Sequence, residues 1–175
     1  MTSPRPVSAV IDAGAVGINI EDGAFEPDLL VAKIAAPRTV AANAGADLFV
    51  NARTDVYLKG LVPAEQAVGE SIARAERYLA AGCDGIFVPA VVDPDEIRTI
   101  ASAIAVPLNV LVVPRLPPVA ELAELGVHRV SAGSAIAQAA LGVARQAAAR
   151  FLAEGRYDLM LDRSAQYAEL NALFS

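Results

Sequence analysis

Short apolar runs and segments of helical period alternate five times along this chain, and that alternation restricts the fold more than any other feature. The runs are 16–20 (VGINI), 47–51 (DLFVN), 85–89 (GIFVP), 108–113 (LNVLVV) and 128–131 (HRVS). Near-continuous apolar character over about five residues suits strands covered on both faces. Strand then helix, repeated, demands right-handed crossovers and a parallel sheet, so the expected class is α/β. A doubly wound sheet and a barrel both fit that spacing.

The helices carry their own punctuation. Between Pro63 and Gly82, Val68, Ile72, Ala75 and Leu79 recur at steps of four and three, with Gly82 in the C′ position. Asp93-Pro94-Asp95-Glu96 reads as an N-cap, a proline at the first helical position and a capping-box glutamate, followed by Ile97, Ile100 and Ile104. A shorter helix is expected over 118–125, stopped by Gly126, and another over 28–43, kinked or divided by Pro37. After Ser131 no further strand is evident, only a long Ala-rich helix over 135–153 and a last one over 163–173. Several helices run into their strands through an Ala-Gly or Leu-Gly step, as in Ala81-Gly82-Cys83-Asp84 and Leu125-Gly126-Val127-His128, a recurrence that favours the barrel.

Composition narrows the partners. The 175 residues are 55% hydrophobic, with a formal net charge of -6 and no block of like charges, which argues against nucleic acid or an anionic membrane as partner. Aromatics make up 5% with no Trp, too few for a base-stacking platform. One cysteine, Cys83, excludes an internal disulfide, so a reducing, cytoplasmic setting is expected. No apolar run reaches membrane-spanning length.

In parallel sheets ligands lie beyond the carboxyl ends of the strands, and few polar residues close these runs. The first ends Asn19-Ile20-Glu21-Asp22-Gly23 and the second Asn51-Ala52-Arg53-Thr54-Asp55; the fourth carries Asn109, and the fifth ends Ser131-Ala132-Gly133-Ser134. Glu21 and Asp22 stand where a carboxylate can hold a hard cation directly or through water; equally, Asp22-Gly23 is a turn and Glu21 a solvated charge. Arg53 can grip a carboxylate or phosphonate through two parallel hydrogen bonds, or form an ion pair with Glu21 or Asp55. Asn109 either faces a barrel mouth or satisfies a buried backbone group. The segment from Ser131 through Gly133 opens the long helix, where free N–H groups favour an anion, although Ser134 is also a plain N-cap. His128 has no partner at ligand spacing, and Cys83 sits in a turn at the opposite end from the expected site.

Taken in order, V-G-I-N-I-E-D-G, F-V-N-A-R-T-D, A-G-C-D-G-I-F-V-P, V-P-L-N-V-L-V and G-V-H-R-V-S-A-G-S resemble strands four to eight of the isocitrate lyase and phosphoenolpyruvate mutase superfamily. The similarity is greatest to its smaller members, the carboxyvinyl-carboxyphosphonate phosphorylmutase-like and 2-methylisocitrate lyase-like proteins. The resemblance implies a partial TIM (β/α)8 barrel forming one domain over 1–175. It also implies a Mg2+-dependent lyase or phosphonomutase acting on a C–C or P–C bond beside a 2-oxo acid, through a metal-held enolate. By position, Glu21 is similar to the carboxylate that holds the metal through water, with Asp22 beside it. Arg53 is similar to the arginine that binds the substrate's carboxylate or phosphonate, and Asn51, Asn109, Ser131 and Gly133 to the substrate-binding set.

The departures limit that expectation. In the family, three further strands precede this segment and carry the aspartates nearest the metal. The lysine–cysteine–glycine motif of the lyases is replaced by Ala24-Phe25-Glu26-Pro27, and Pro89 is followed by Ala90 rather than glutamate. Five strands cannot close an eight-strand barrel, so the open edges call for a cover. The expected covers are self-association as a dimer or tetramer that exchanges the C-terminal helix, or a separate chain bearing the other half; otherwise the product is a marginal fragment. The competing reading of function is a non-catalytic subunit that keeps an oligomerisation surface and an anion site.

Overall fold

The computed structural model describes residues 5–162 and 164–174. The chain forms two compact units, one ending at Ser131 and the other beginning at Ala132. The first holds α1 (Arg5–Asp12), β1 (Gly17–Glu21), α2 (Pro27–Ala44), β2 (Phe49–Arg53), α3 (Val56–Lys59), α4 (Ala67–Ala80), β3 (Gly85–Phe87), α5 (Pro94–Ala103), β4 (Leu108–Leu111), α6 (Val119–Glu124) and β5 (Val127–Ser131). All five strands pair in parallel in the sequential order β1-β2-β3-β4-β5, the arrangement of consecutive units of a partial (β/α)8 barrel.

Because side chains alternate along a strand, the in-register pairing sorts the sheet into two faces. Ile18, Ile20, Val50, Ala52, Ile86, Leu108 and Val110 turn toward the helices. There they join Leu30, Ile34, Ala75, Tyr78, Ile97, Ile100 and Leu122 in one core. The other face carries Asn19, Glu21, Asn51, Arg53, Phe87 and Asn109. The expectation of strands covered on both faces therefore holds for the helix side. The opposite face is open at β1 and at the start of β2, where Asn19 is exposed and Phe49 is 37% exposed.

Several boundaries differ from the sequence reading for physical reasons. β1 and β2 begin one and two residues late and run on to Glu21 and Arg53, because the ladder extends to the pairing of those two residues. α2 is not divided by Pro37, which lies inside one continuous helix. The proline ring lies on the buried stripe with Leu30, Ile34 and Ala41, and the adjacent Arg38 ties the helix to the sheet. Arg38 donates to the carbonyls of Gly82 (2.6 Å) and Leu48 (2.9 Å) and pairs with Asp84, which also accepts from the Val50 N–H (2.7 Å). Asp93 caps α5 as expected, accepting from the N–H groups of Asp95 and Glu96.

The second unit consists of α7 (Ala135–Glu154), α8 (Asp158–Asp162) and α9 (Tyr167–Ala172). The helix expected over 163–173 thus begins at Tyr167, where Glu169 accepts from the Gln166 N–H (3.3 Å); Arg163 lies outside the described residues. Ser134 occupies the N-cap position of α7 without capping it, since its hydroxyl accepts instead from Gln138 Nε2 (2.7 Å).

Candidate functional site

Glu21 and Arg53 are the last residues of β1 and β2 and stand opposite each other in the ladder, on the face turned away from the helices. Arg53 Nη1 lies 3.1 Å from Glu21 Oε2, and its Nε donates to Asp55 Oδ1 at 2.7 Å. Both ion pairs open to Arg53 from the sequence are made at once. The guanidinium also sits 5.6 Å from the centroid of the Phe87 ring, a cation–π distance that holds it flat against β3. Arg53 keeps 23% of its side chain exposed and Glu21 52%, so the pair remains open to a small molecule.

Asp22 has a different setting. Its side chain is fully buried; Oδ1 accepts from the Asp55 N–H (2.9 Å), and Oδ2 accepts from Arg74 Nη1 (2.9 Å) and the Tyr78 hydroxyl (2.7 Å). Its own N–H donates to the Arg53 carbonyl (3.1 Å). Arg74 further donates to Glu70 (2.6 Å) and the Phe25 carbonyl (3.4 Å). Burial, which alone would lower the Arg74 pKa, is outweighed by the hydrogen bonds to Glu70 and Asp22, so it is raised. Burial and the hydrogen bond to Asp22 push the Tyr78 hydroxyl far above its ordinary value. One carboxylate thus joins the loop after β1, the loop after β2 and helix α4.

Sequence reasoning missed Arg74 and Tyr78. The apolar stripe read on α4 holds Val68, Ile72 and Leu79, which are only half-buried; the stripe turned inward is Ala67, Ser71, Arg74, Ala75 and Tyr78. The available signal was Glu70 four residues ahead of Arg74 on the face that also carries Tyr78.

Of the remaining expected site residues, Asn51 and Asn109 are each 1% exposed. Asn51 Nδ2 donates to Asn19 Oδ1 (2.8 Å), in line with the Glu21–Arg53 pair one step further along the strands. Asn109 donates to the Val110 carbonyl (3.0 Å) and accepts from the Ser131 hydroxyl (3.1 Å), so it both satisfies a backbone group and reaches the end of β5. Gly133 opens the second unit with φ 55. His128 is exposed at the irregularity where β5 shifts register against β4. Cys83 is buried, and burial followed by the charge of Asp84 pushes its thiol up to about 11, so little thiolate exists at neutral pH.

A magnesium ion takes hard oxygen ligands, usually one or two carboxylates with waters and substrate. Glu21 is half-exposed and turned to the open face, whereas both oxygens of Asp22 are taken by three donors. No group of three or more His, Cys, Asp or Glu side chains able to hold a metal occurs among the described residues. These residues do not by themselves make a magnesium site. Among the same residues, no helix is long and apolar enough to cross a membrane.

Residues 2–152 match the family described as phosphoenolpyruvate phosphomutase. The chain belongs to this family. An uncharacterized protein of Mycobacterium tuberculosis is 42% identical over 167 residues, covering 93% of this chain and 60% of that relative. A solved lyase/mutase candidate from Burkholderia cenocepacia J2315 superposes with a TM-score of 0.87 at 32% identity, over 98% of this chain and 63% of the other. A phosphonopyruvate hydrolase solved with oxalate and Mg++ gives a TM-score of 0.76 at 26% identity, over 98% and 62%. The chain therefore spans about three-fifths of the length of these family relatives.

Proposed function

We propose that this chain supplies the acid-gripping part of a phosphoenolpyruvate mutase-type site. Its substrate is a small carboxylate or phosphonate 2-oxo acid, and the activity class is a lyase or phosphonomutase working on a C–C or P–C bond beside the oxo group. The observation that carries the reading is Arg53, a guanidinium fixed by Asp55 and Phe87 at the carboxyl end of β2 and paired with an exposed carboxylate that an incoming acid can replace. A positioned guanidinium binds an acid group in two parallel hydrogen bonds and so orients the bond to be broken. Asn51, Asn109 and Ser131 line the same face and would offer amide and hydroxyl groups to the rest of the ligand. Glu21 would stand toward a metal through water, and the chain's own residues do not complete that site.

Oxalate, bound by a family relative, is the natural probe. Calorimetric titration, with and without magnesium, is expected to give saturable binding to the full chain and loss of at least roughly tenfold in affinity in Arg53→Ala, as removal of one charge-assisted pair implies. Equal affinity in the variant would remove Arg53 from the site.

A second reading, a subunit that binds acids without chemistry, is favoured by the lack of a metal-holding trio among the described residues. Turnover of a 2-oxo acid by the purified chain would exclude it. In the second unit, Ile136, Leu141, Leu152 and Phe174 are 74%, 71%, 84% and 90% exposed, which supports self-association as a dimer or tetramer, to be checked by sedimentation.

A further inference from the structure

Asp55 closes the β2 segment with a side chain that has no solvent exposure, and a buried carboxylate requires compensating charge. It receives two cations. Arg53 Nε lies on Oδ1 at 2.7 Å and Lys59 Nζ on Oδ2 at 3.1 Å. Lys59 is the last residue of α3, four positions after Asp55, so a single helical turn delivers its ammonium to the carboxylate. Its side chain is 41% exposed, so the ammonium can face an incoming ligand while it stays within ion-pair distance of Asp55.

The ammonium also reaches the other loop of the site. A Cβ placed on Gly23, in the turn that follows Glu21 and Asp22, would lie 3.4 Å from Lys59 Nζ. Gly23 holds φ 63, a left-handed conformation in which glycine is unstrained. A side chain there would sit against the amine. The two cations thus share one buried anion; Arg53 bridges from the β2 side to the β1 side through Glu21, and Lys59 lies beside the Gly23 turn. With Glu21 on Arg53 the four charges balance. Within this group of four, Glu21 turned away leaves one positive charge unmatched.

We propose that Lys59 is a second cationic contact for the acid, acting with Arg53, and that the pair favours a ligand carrying two negative charges over a monoanion. This rests on the reading of Arg53 as the acid grip and extends it to the charge of the substrate. A bare ion pair between Lys59 and Asp55 would stabilise one helical turn slightly and leave ligand selection unchanged.

The test compares oxalate, a dianion, with pyruvate, a monoanion, by calorimetry on the full chain as wild type, Lys59→Met, Lys59→Arg and Arg53→Ala. Lys59→Met is expected to weaken oxalate by roughly tenfold and pyruvate by much less, with Lys59→Arg restoring most of the oxalate affinity. Equal loss for both ligands, or no loss in Lys59→Met while Arg53→Ala loses oxalate, overturns the role of Lys59 and leaves that of Arg53 standing. Failure of wild type to bind either ligand overturns both. Should Lys59→Met not fold, the wild-type chain answers through acetylation of Lys59 followed by mass spectrometry. Slower modification in saturating oxalate supports the contact; an unchanged rate overturns it.

Discussion

The two ends of the sheet are built to different rules. At the amino end, the turns that enter the strands place Gly14, Gly45, Gly82 and Gly126 at φ 84, 63, 98 and 88, where glycine is at ease. The carboxyl end mixes glycines, Gly23 at φ 63 and Gly60 at φ 57, with two left-handed residues that bear a steric cost, Ala90 and Arg115, each at φ 72. The polar groups divide in the same way. Arg38 and Asp84, at the amino end, are spent on each other and on the backbone of Leu48, Val50 and Gly82. Arg53, Glu21 and Lys59, at the carboxyl end, are partly exposed like that pair but bond to side chains rather than to the strands' backbone. The strained non-glycine residues and the charges not tied to backbone thus lie where barrels place their ligands.

The largest effect should come from Asp22, the buried carboxyl-end carboxylate with three donors. Asp22→Ala strands the buried Arg74 and Tyr78, and a loss of roughly 3–5 kcal/mol in urea unfolding is expected. The matching amino-end change, Asp84→Ala, removes a partly exposed pair and one backbone hydrogen bond and should lose about 1–2 kcal/mol. A greater loss for Asp84→Ala than for Asp22→Ala would reverse the comparison.

Ala90→Gly relieves the left-handed strain at the expense of chain entropy and should gain about 1 kcal/mol net, raising the thermal midpoint by about 2–4 °C. A lower midpoint would show that Ala90 is not strained. The effect of Cys83 is confined to alkaline pH and vanishes at neutrality. Its folded-state pKa lies above its unfolded value, so the unfolded chain binds fewer protons as the thiol titrates, and stability must fall with rising pH. Wild type should be at full stability below about pH 8.5 and lose about 2 kcal/mol as pH rises toward about 11, a decline that Cys83→Ala would flatten.

How much of this was legible in the sequence follows from the range of each interaction. The Ala-Gly steps before β2 and β3 marked left-handed turns because a glycine's conformational freedom is a local property. The strand ends were legible through Glu21, Arg53 and Asn51, since polar residues closing apolar runs have few places to go. Arg74 and Tyr78 were not, because their partner Asp22 is 52 and 56 residues away and their helix also carries a more apolar stripe. Lys59 escaped notice because α3 is a single turn, too short to show a period. The unbroken path of α2 through Pro37 depends on tertiary bonds from Arg38 that no local rule includes.

The in-register pairing of β1 with β2 also limits how this chain can change in length. Inserting or deleting one residue within Gly17–Glu21 would exchange the Asn19 and Glu21 row with the Ile18 and Ile20 row, turning the acid into the core and the isoleucines out of it. Lineages of this protein should therefore tolerate length variation in the loop over 23–26 far more readily than in the strand before it, and single-codon indels in β1 should be purged.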